Sequence, residues 1–161
     1  MVKWAMRNGC PADARTINTL ANKGDCWQTI MWAIEHGCPL DDEAVRAMVS
    51  WDQLEILQWA HSNGYLSKHS DDGFSELILR MAVKKTRLDT LRWCAEVGMN
   101  FNHQGLCERA TRRTNAEMLQ LLFEQRAPRD STLLKIAATK KRVHIFDWLF
   151  SNTPLWKVWY E

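Results

Sequence analysis

The cysteines are too few and too irregular to make a disulfide framework or a zinc site. There are five, an odd number, and no two form a Cys-x-x-Cys pair. Cys10 and Cys38 each directly follow a glycine, so their spacing reflects a repeat and implies no bridge. No apolar run approaches the roughly 18 residues of a membrane span. The N-terminus also lacks the basic start, apolar centre and small-residue cleavage site of a secretory leader. These absences together lead us to expect a soluble protein of the reducing cytoplasm, intracellular and without a membrane span. Signatures of chemistry are missing too. The chain has no Gly-rich phosphate loop, no His-Glu-x-x-His and no recognisably spaced Ser, His and Asp set. The histidines at 36, 61, 69, 103 and 144 share no repeat position. His36 and His61 fall near helix ends, where a cation complements the dipole. His69 with Asp71 and Asp72 reads as a polar turn in preference to a metal set. The expectation is a protein that is not an enzyme, with no catalytic residues, no cofactor and no metal.

What is abundant is tryptophan, nine in 161 residues, and it recurs with a period. Eleven residues after a small or apolar residue comes a large apolar one, five times over: Ala21 to Trp32, Met48 to Trp59, Ala82 to Trp93, Ala110 to Leu121 and Ala137 to Trp148. Five residues beyond the large position stand Gly37, Gly64 and Gly98, and Trp4 bears the same relation to Gly9. A chain with this internal register is read as an array of short units, each touching its neighbours. The tryptophans then read as core residues, forming a buried ladder between neighbouring units.

Residues 128–153 show how one unit is built. Asp130 stands before an apolar periodic run, as a residue capping a helix N-terminus should. Leu133, Leu134, Ile136 and Ala137 mark a first helix, Thr139 to Arg142 a polar tip, and Val143, Phe146, Trp148, Leu149 and Phe150 a second helix. Pro11-Ala12-Asp13 and Pro39-Leu40-Asp41 repeat the Pro-x-Asp spacing of Pro128-Arg129-Asp130, and Asn102 and Ser75 occupy the corresponding cap positions. The recurrent glycines suit the left-handed residue that closes a helix. Arg126 and Thr153 replace them in the last two units, so those ends are either strained or built differently. The segmentation is a half-repeat or cap at 1–10, repeats at 11–38, 39–65, 66–99, 100–127 and 128–153, and a C-terminal cap at 154–161, in which Trp156, Trp159 and Tyr160 fold over the last seam. The start inside a second helix suggests a half-repeat or a piece of a longer protein.

In this register, Leu134-Lys-Ile-Ala-Ala-Thr-Lys-Lys-Arg-Val-His-Ile-Phe-Asp-Trp-Leu-Phe resembles the first helix, tip and second helix of an ankyrin repeat. Leu54-Glu-Ile-Leu-Gln-Trp-Ala-His-Ser-Asn-Gly64 is similar to that family's second helix and terminal glycine. The Thr-Pro-Leu-His signature is absent, and most units, at about 27–28 residues, are shorter than an ankyrin repeat by about five or six, the exception being 66–99. Such short units resemble the divergent arrays of oomycetes and giant DNA viruses. The resemblance implies an all-α fold, a right-handed stack of helix-turn-helix hairpins (an ankyrin-like solenoid) with shortened fingers. Asp71-Asp-Gly-Phe-Ser-Glu-Leu77 would form the one full-length finger, at 65–74. It also implies a protein-protein interaction adaptor or scaffold whose concave, first-helix surface binds another protein. The groove candidates are Arg46, Arg80, Glu108 and Lys135.

Charge points elsewhere. Residues 1–72 carry a balance of −4 and residues 73–161 a balance of +6. Lys84, Lys85, Arg87, Arg112, Arg113, Lys140, Lys141 and Arg142 all lie two to five residues after the small alanine, at the tip joining two helices. Superimposed tips would form a basic column spaced by about 10 Å. One reading is a solvated edge tolerated at exposed turns and eased by second-helix carboxylates such as Asp89 and Glu117. The other is a footprint for an anionic partner, nucleic acid or anionic lipid. Self-association through an uncapped N-terminal seam is a further possibility.

Overall fold

The computed structural model describes residues 4, 7–9, 14–21, 27–66, 73–113, 115–129 and 132–152. Among them the protein is all-helical, with ten helices and no strand. These are α1 (Ala14–Ala21), α2 (Trp27–Glu35), α3 (Asp42–Ser50), α4 (Leu54–Ser62), α5 (Gly73–Lys85), α6 (Leu88–Glu96), α7 (Leu106–Arg113), α8 (Ala116–Glu124), α9 (Thr132–Thr139) and α10 (Val143–Asn152). The chain divides into two compact units, Met1–Met81 and Ala82–Glu161, and the division falls inside α5.

Helices of eight to thirteen residues are marginal alone and hold only where an apolar face is covered. In the first unit α1 packs on α2 and α3, and α4 packs on α2 and α3. In the second, α7 packs on α8 and α9, α6 on α8, and α9 on α10. Small residues at the seams, Ala44 and Ala47 in α3, Ala110 in α7 and Ala137 in α9, are buried and let backbones approach.

One turn geometry recurs. The N–H of a left-handed residue bonds three residues back and the next N–H bonds five back, the double bond of a Schellman motif. It closes α2 (Gly37 N to Ile34 O 3.1 Å, Cys38 N to Ala33 O 2.9 Å), α4 (Gly64 to His61 3.0 Å, Tyr65 to Ala60 2.9 Å) and α6 (Gly98 to Ala95 3.1 Å, Met99 to Cys94 3.0 Å). The end of α8 is built the same way with Arg126 at φ 56°, bonded to Phe123 O at 3.1 Å. Of the two alternatives for that helix end, strain in the recurring geometry is the outcome, because a Cβ in the left-handed region costs about 1–2 kcal/mol. Thr153 lies outside the described residues. The same motif closes three first helices, with Asp52, Thr86 and Lys141 at φ 61°, 60° and 54°, where no glycine marks the turn.

Capping follows the expected chemistry in part. Asp41 Oδ1 accepts from Ala44 N at 2.8 Å at the start of α3. Asp13 and Asp130 lie outside the described residues. Ser75 is not a cap, since α5 already begins at Gly73. Asn102 is not one either. Its own N–H donates to Asn100 Oδ1 at 2.9 Å, and a turn through Gly105 (φ 81°) delays α7 to Leu106.

The tryptophan ladder needs correction. Trp93 is buried, but Trp32, Trp59, Leu121 and Trp148 are half-buried, and Trp4, Trp27 and Trp51 are exposed. The fully buried residues of the second helices lie beside the large position: Ile56, Leu57 and Ala60 near Trp59, Thr90, Leu91 and Cys94 near Trp93, Met118, Leu119 and Leu122 near Leu121. A residue three after the first of such a set lies about 100° round the helix from the stripe's centre. The large rings therefore cover the rim of the core: Trp59 stacks on Tyr65 at 5.3 Å, and Trp148 tilts on Phe123 at 5.2 Å.

Candidate anion-binding cleft

Among the described residues six cations line a cleft of about 420 Å³ in the second unit: Lys84, Arg109, Arg112, Arg113, Lys140 and Arg142. Three local structures deliver them. Lys84 stands in the last turn of α5. Arg109 and Arg113 are one helical turn apart on α7, with Arg112 beside them, because residues three and four apart share a face. Lys140 and Arg142 flank the left-handed Lys141 in the Schellman turn after α9, where Arg142 N bonds Ala137 O at 2.9 Å. The opposite face of α7 is apolar and buried, through Leu106, Cys107 and Ala110, which fixes the arginines outward.

Among the described residues little neutralises this cluster. Arg112 pairs with Glu108 at 2.7 Å. Among the described residues no carboxylate stands within ion-pair distance of the other five. The carboxylates expected to ease the charge, Asp89 and Glu117, are both engaged by Arg92, at 3.4 Å for Asp89. Burial acts on two thiols of this unit. Desolvation pushes the Cys94 thiol up from its ordinary 9.0 to about 12, and Cys107 to about 11 against the opposing pull of the Arg129 charge.

Like Arg87 at the equivalent position of α6, Arg142 is poorly suited to its place. Its carbonyl accepts the first backbone bond of α10, from Phe146 N at 2.9 Å, so it stands at the helix N-terminus. At the same register position Asn115 caps α8, its Oδ1 accepting from Met118 N at 3.0 Å. An arginine there has no oxygen to offer and places a cation at the positive end of the helix dipole. Its Nε is buried and has no acceptor among the described residues.

The sequence-read residues are distributed as follows. Lys84, Arg112, Arg113, Lys140 and Arg142 share the cleft, whereas Lys85 and Lys141 are exposed and, like Arg87 at the start of α6, stand outside its lining. Arg109 was missed because it precedes Ala110, outside the window after the small residue. Its helical spacing to Arg113 is the signal that finds it. Of the groove candidates, Arg46 pairs with Asp42 at 3.9 Å, Arg80 with Glu76 at 2.7 Å and Glu108 with Arg112, each within its own helix, while Lys135 is exposed.

Among the described residues the lining offers donors and positive charge but no carboxylate, imidazole or thiol to act as base or nucleophile. Among the described residues no three His, Cys, Asp or Glu converge to hold a metal ion. His69, Asp71, Asp72 and the cap residues Trp156, Trp159 and Tyr160 lie outside the described residues. No described helix is long and apolar enough to cross a membrane. Comparison of the chain with family models, with curated proteins and with solved structures gave no match.

Proposed function

We propose that the chain is a non-enzymatic binding module, an ankyrin-like array of helical hairpins that engages an anionic partner through the cationic cleft of its second unit. The array reading is supported by the eleven-residue register and by one helix-closing geometry used repeatedly along the chain. The observation that carries the functional reading is the cleft itself: six cations converge on one concavity with a single paired carboxylate among them. A merely solvated edge has no reason to converge. Mutual repulsion in a shared cavity destabilises the folded state and is relieved when an anion enters.

Adaptor binding through the first-helix surface has less support, since Arg46, Arg80 and Glu108 already have partners on their own helices. The finger at 65–74 lies largely outside the described residues. The test is retention on immobilised heparin. The wild-type chain is expected to elute only at elevated salt, and the fourfold variant Lys84→Glu, Arg112→Glu, Arg113→Glu, Lys140→Glu in low salt with its circular dichroism unchanged. Equal retention of the two proteins defeats the reading.

A further inference from the structure

Resting on that reading, we infer that the cleft is a site for a compact polyphosphate, several phosphate groups clustered on a small scaffold, and not for a stretch of nucleic acid. Three observations converge on this. The volume, about 420 Å³, is that of a small-molecule pocket, typically about 300–1,000 Å³. A duplex carries its phosphates on a convex surface at one charge per about 1.7 Å of axis, a distribution that a small concavity does not match. Next, among the described residues the lining contains no aromatic or apolar side chain. Single-strand binders hold bases on aromatic platforms, and the described lining offers none. Last, four of the six cations are arginines, whose planar forks match the oxygens of a phosphate two at a time.

Arg142 separates a ligand role from a structural one. The cap position favours Asn, as Asn115 shows at the equivalent place, so the arginine lowers stability where a common residue would raise it. Arginine at this cap is not peculiar to the cleft, since Arg87 holds the same position in α6, but of the two only Arg142 lines the cavity, and its buried Nε, without an acceptor among the described residues, is a donor that an anion there would meet.

A clustered set of phosphates can be a free molecule or the headgroup of a phosphoinositide, and the experiment has an arm for each. The full-length chain is titrated calorimetrically with inositol hexakisphosphate, floated with phosphatidylcholine vesicles with and without phosphatidylinositol bisphosphate, and titrated with an oligonucleotide series of increasing length. Saturable one-to-one binding of the free polyphosphate, or flotation dependent on the phosphoinositide, is expected, with an oligonucleotide affinity that is weaker at every length. Arg142→Asn should melt at a higher temperature yet bind at least about ten-fold more weakly, the worth of one charge-assisted hydrogen bond. Arg109→Gln, exposed in mid-helix, should weaken binding without altering the fold, and Lys85→Gln, outside the lining, should bind as wild type. Oligonucleotide affinity that rises with length and exceeds that of inositol hexakisphosphate overturns the compact ligand but leaves anion binding standing. Binding unaffected by Arg142→Asn and Arg109→Gln removes the cleft, and with it the broader function.

Discussion

Cys94 and Cys107 show how a residue's chemistry follows from where its helix puts it. Both lie on buried faces, and desolvation holds their thiols protonated, with pKa values raised to about 12 and about 11. The sign of the linkage follows from which state keeps its protons. Well below pH 9 folded and unfolded chains are both protonated, and the thiols contribute no pH dependence. Above it the unfolded chain releases protons that the folded chain retains, so stability falls as pH rises toward the folded pKa values, by about 1.4 kcal/mol per pH unit for each thiol. Urea unfolding at about pH 8 and about pH 10 should therefore show a loss that is smaller in Cys94→Ala, once that variant's own cavity cost is subtracted by comparison at the lower pH. Iodoacetamide should label neither thiol in the native protein at neutral pH, because the thiolate is the nucleophile. Rapid labelling of Cys94 without unfolding contradicts its burial.

At the scale of the element, the buried stripe of each second helix decides what a large residue is worth. Trp93 in α6 is 6% exposed, and Trp93→Ala should cost about 3–5 kcal/mol. Trp59 in α4 covers the rim with one face on Tyr65, so Trp59→Ala should cost roughly half as much, since transfer energy scales with the area withdrawn from water. Chemical denaturation of the two variants measures the difference, and equal costs would mean that the ladder is a core after all. The comparison marks what was legible. Helix order and the closures at Gly37, Gly64 and Gly98 could be read because glycine is the residue that a left-handed turn favours. The closures at Asp52, Thr86 and Lys141 could not, since packing imposes them on residues that carry no such mark. Composition identified the tryptophans as apolar, but their side of the helix depends on a neighbouring stripe of Ile, Leu and Ala that looks the same on either flank. In the cleft, five of the six cations stood out by their place after the small alanine. Arg109 did not, and the convergence of all six on one cavity depends on how α7 meets the turn after α9, a tertiary fact with no local sequence signature.

For the whole molecule, charge follows architecture. Counted at the structural division, Met1–Met81 carries seven Lys and Arg against eleven Asp and Glu, and Ala82–Glu161 fourteen against eight, so the −4 and +6 of the sequence coincide with the two units. A unit with that surplus, concentrated in a cleft, is destabilised by its own field and stabilised by whatever anion fills it. Ligand that binds only the folded state adds RT ln(1 + [L]/Kd), about 2.7 kcal/mol at one hundred times Kd. Salt in general also helps by screening, and strongly hydrated anions help by exclusion from the surface, so a rise in melting temperature has three possible sources. Inorganic tripolyphosphate and sodium chloride at matched ionic strength separate the first from the second. Only site binding makes the melting temperature climb with the logarithm of tripolyphosphate concentration well beyond the chloride control. The variant Arg109→Gln, Arg113→Gln separates it from the third, because exclusion acts on the whole surface and is indifferent to two side chains, whereas the site is not. The wild-type chain is expected to gain several degrees and the double variant much less, and equal gains would assign the effect to exclusion and leave the cleft without an anion.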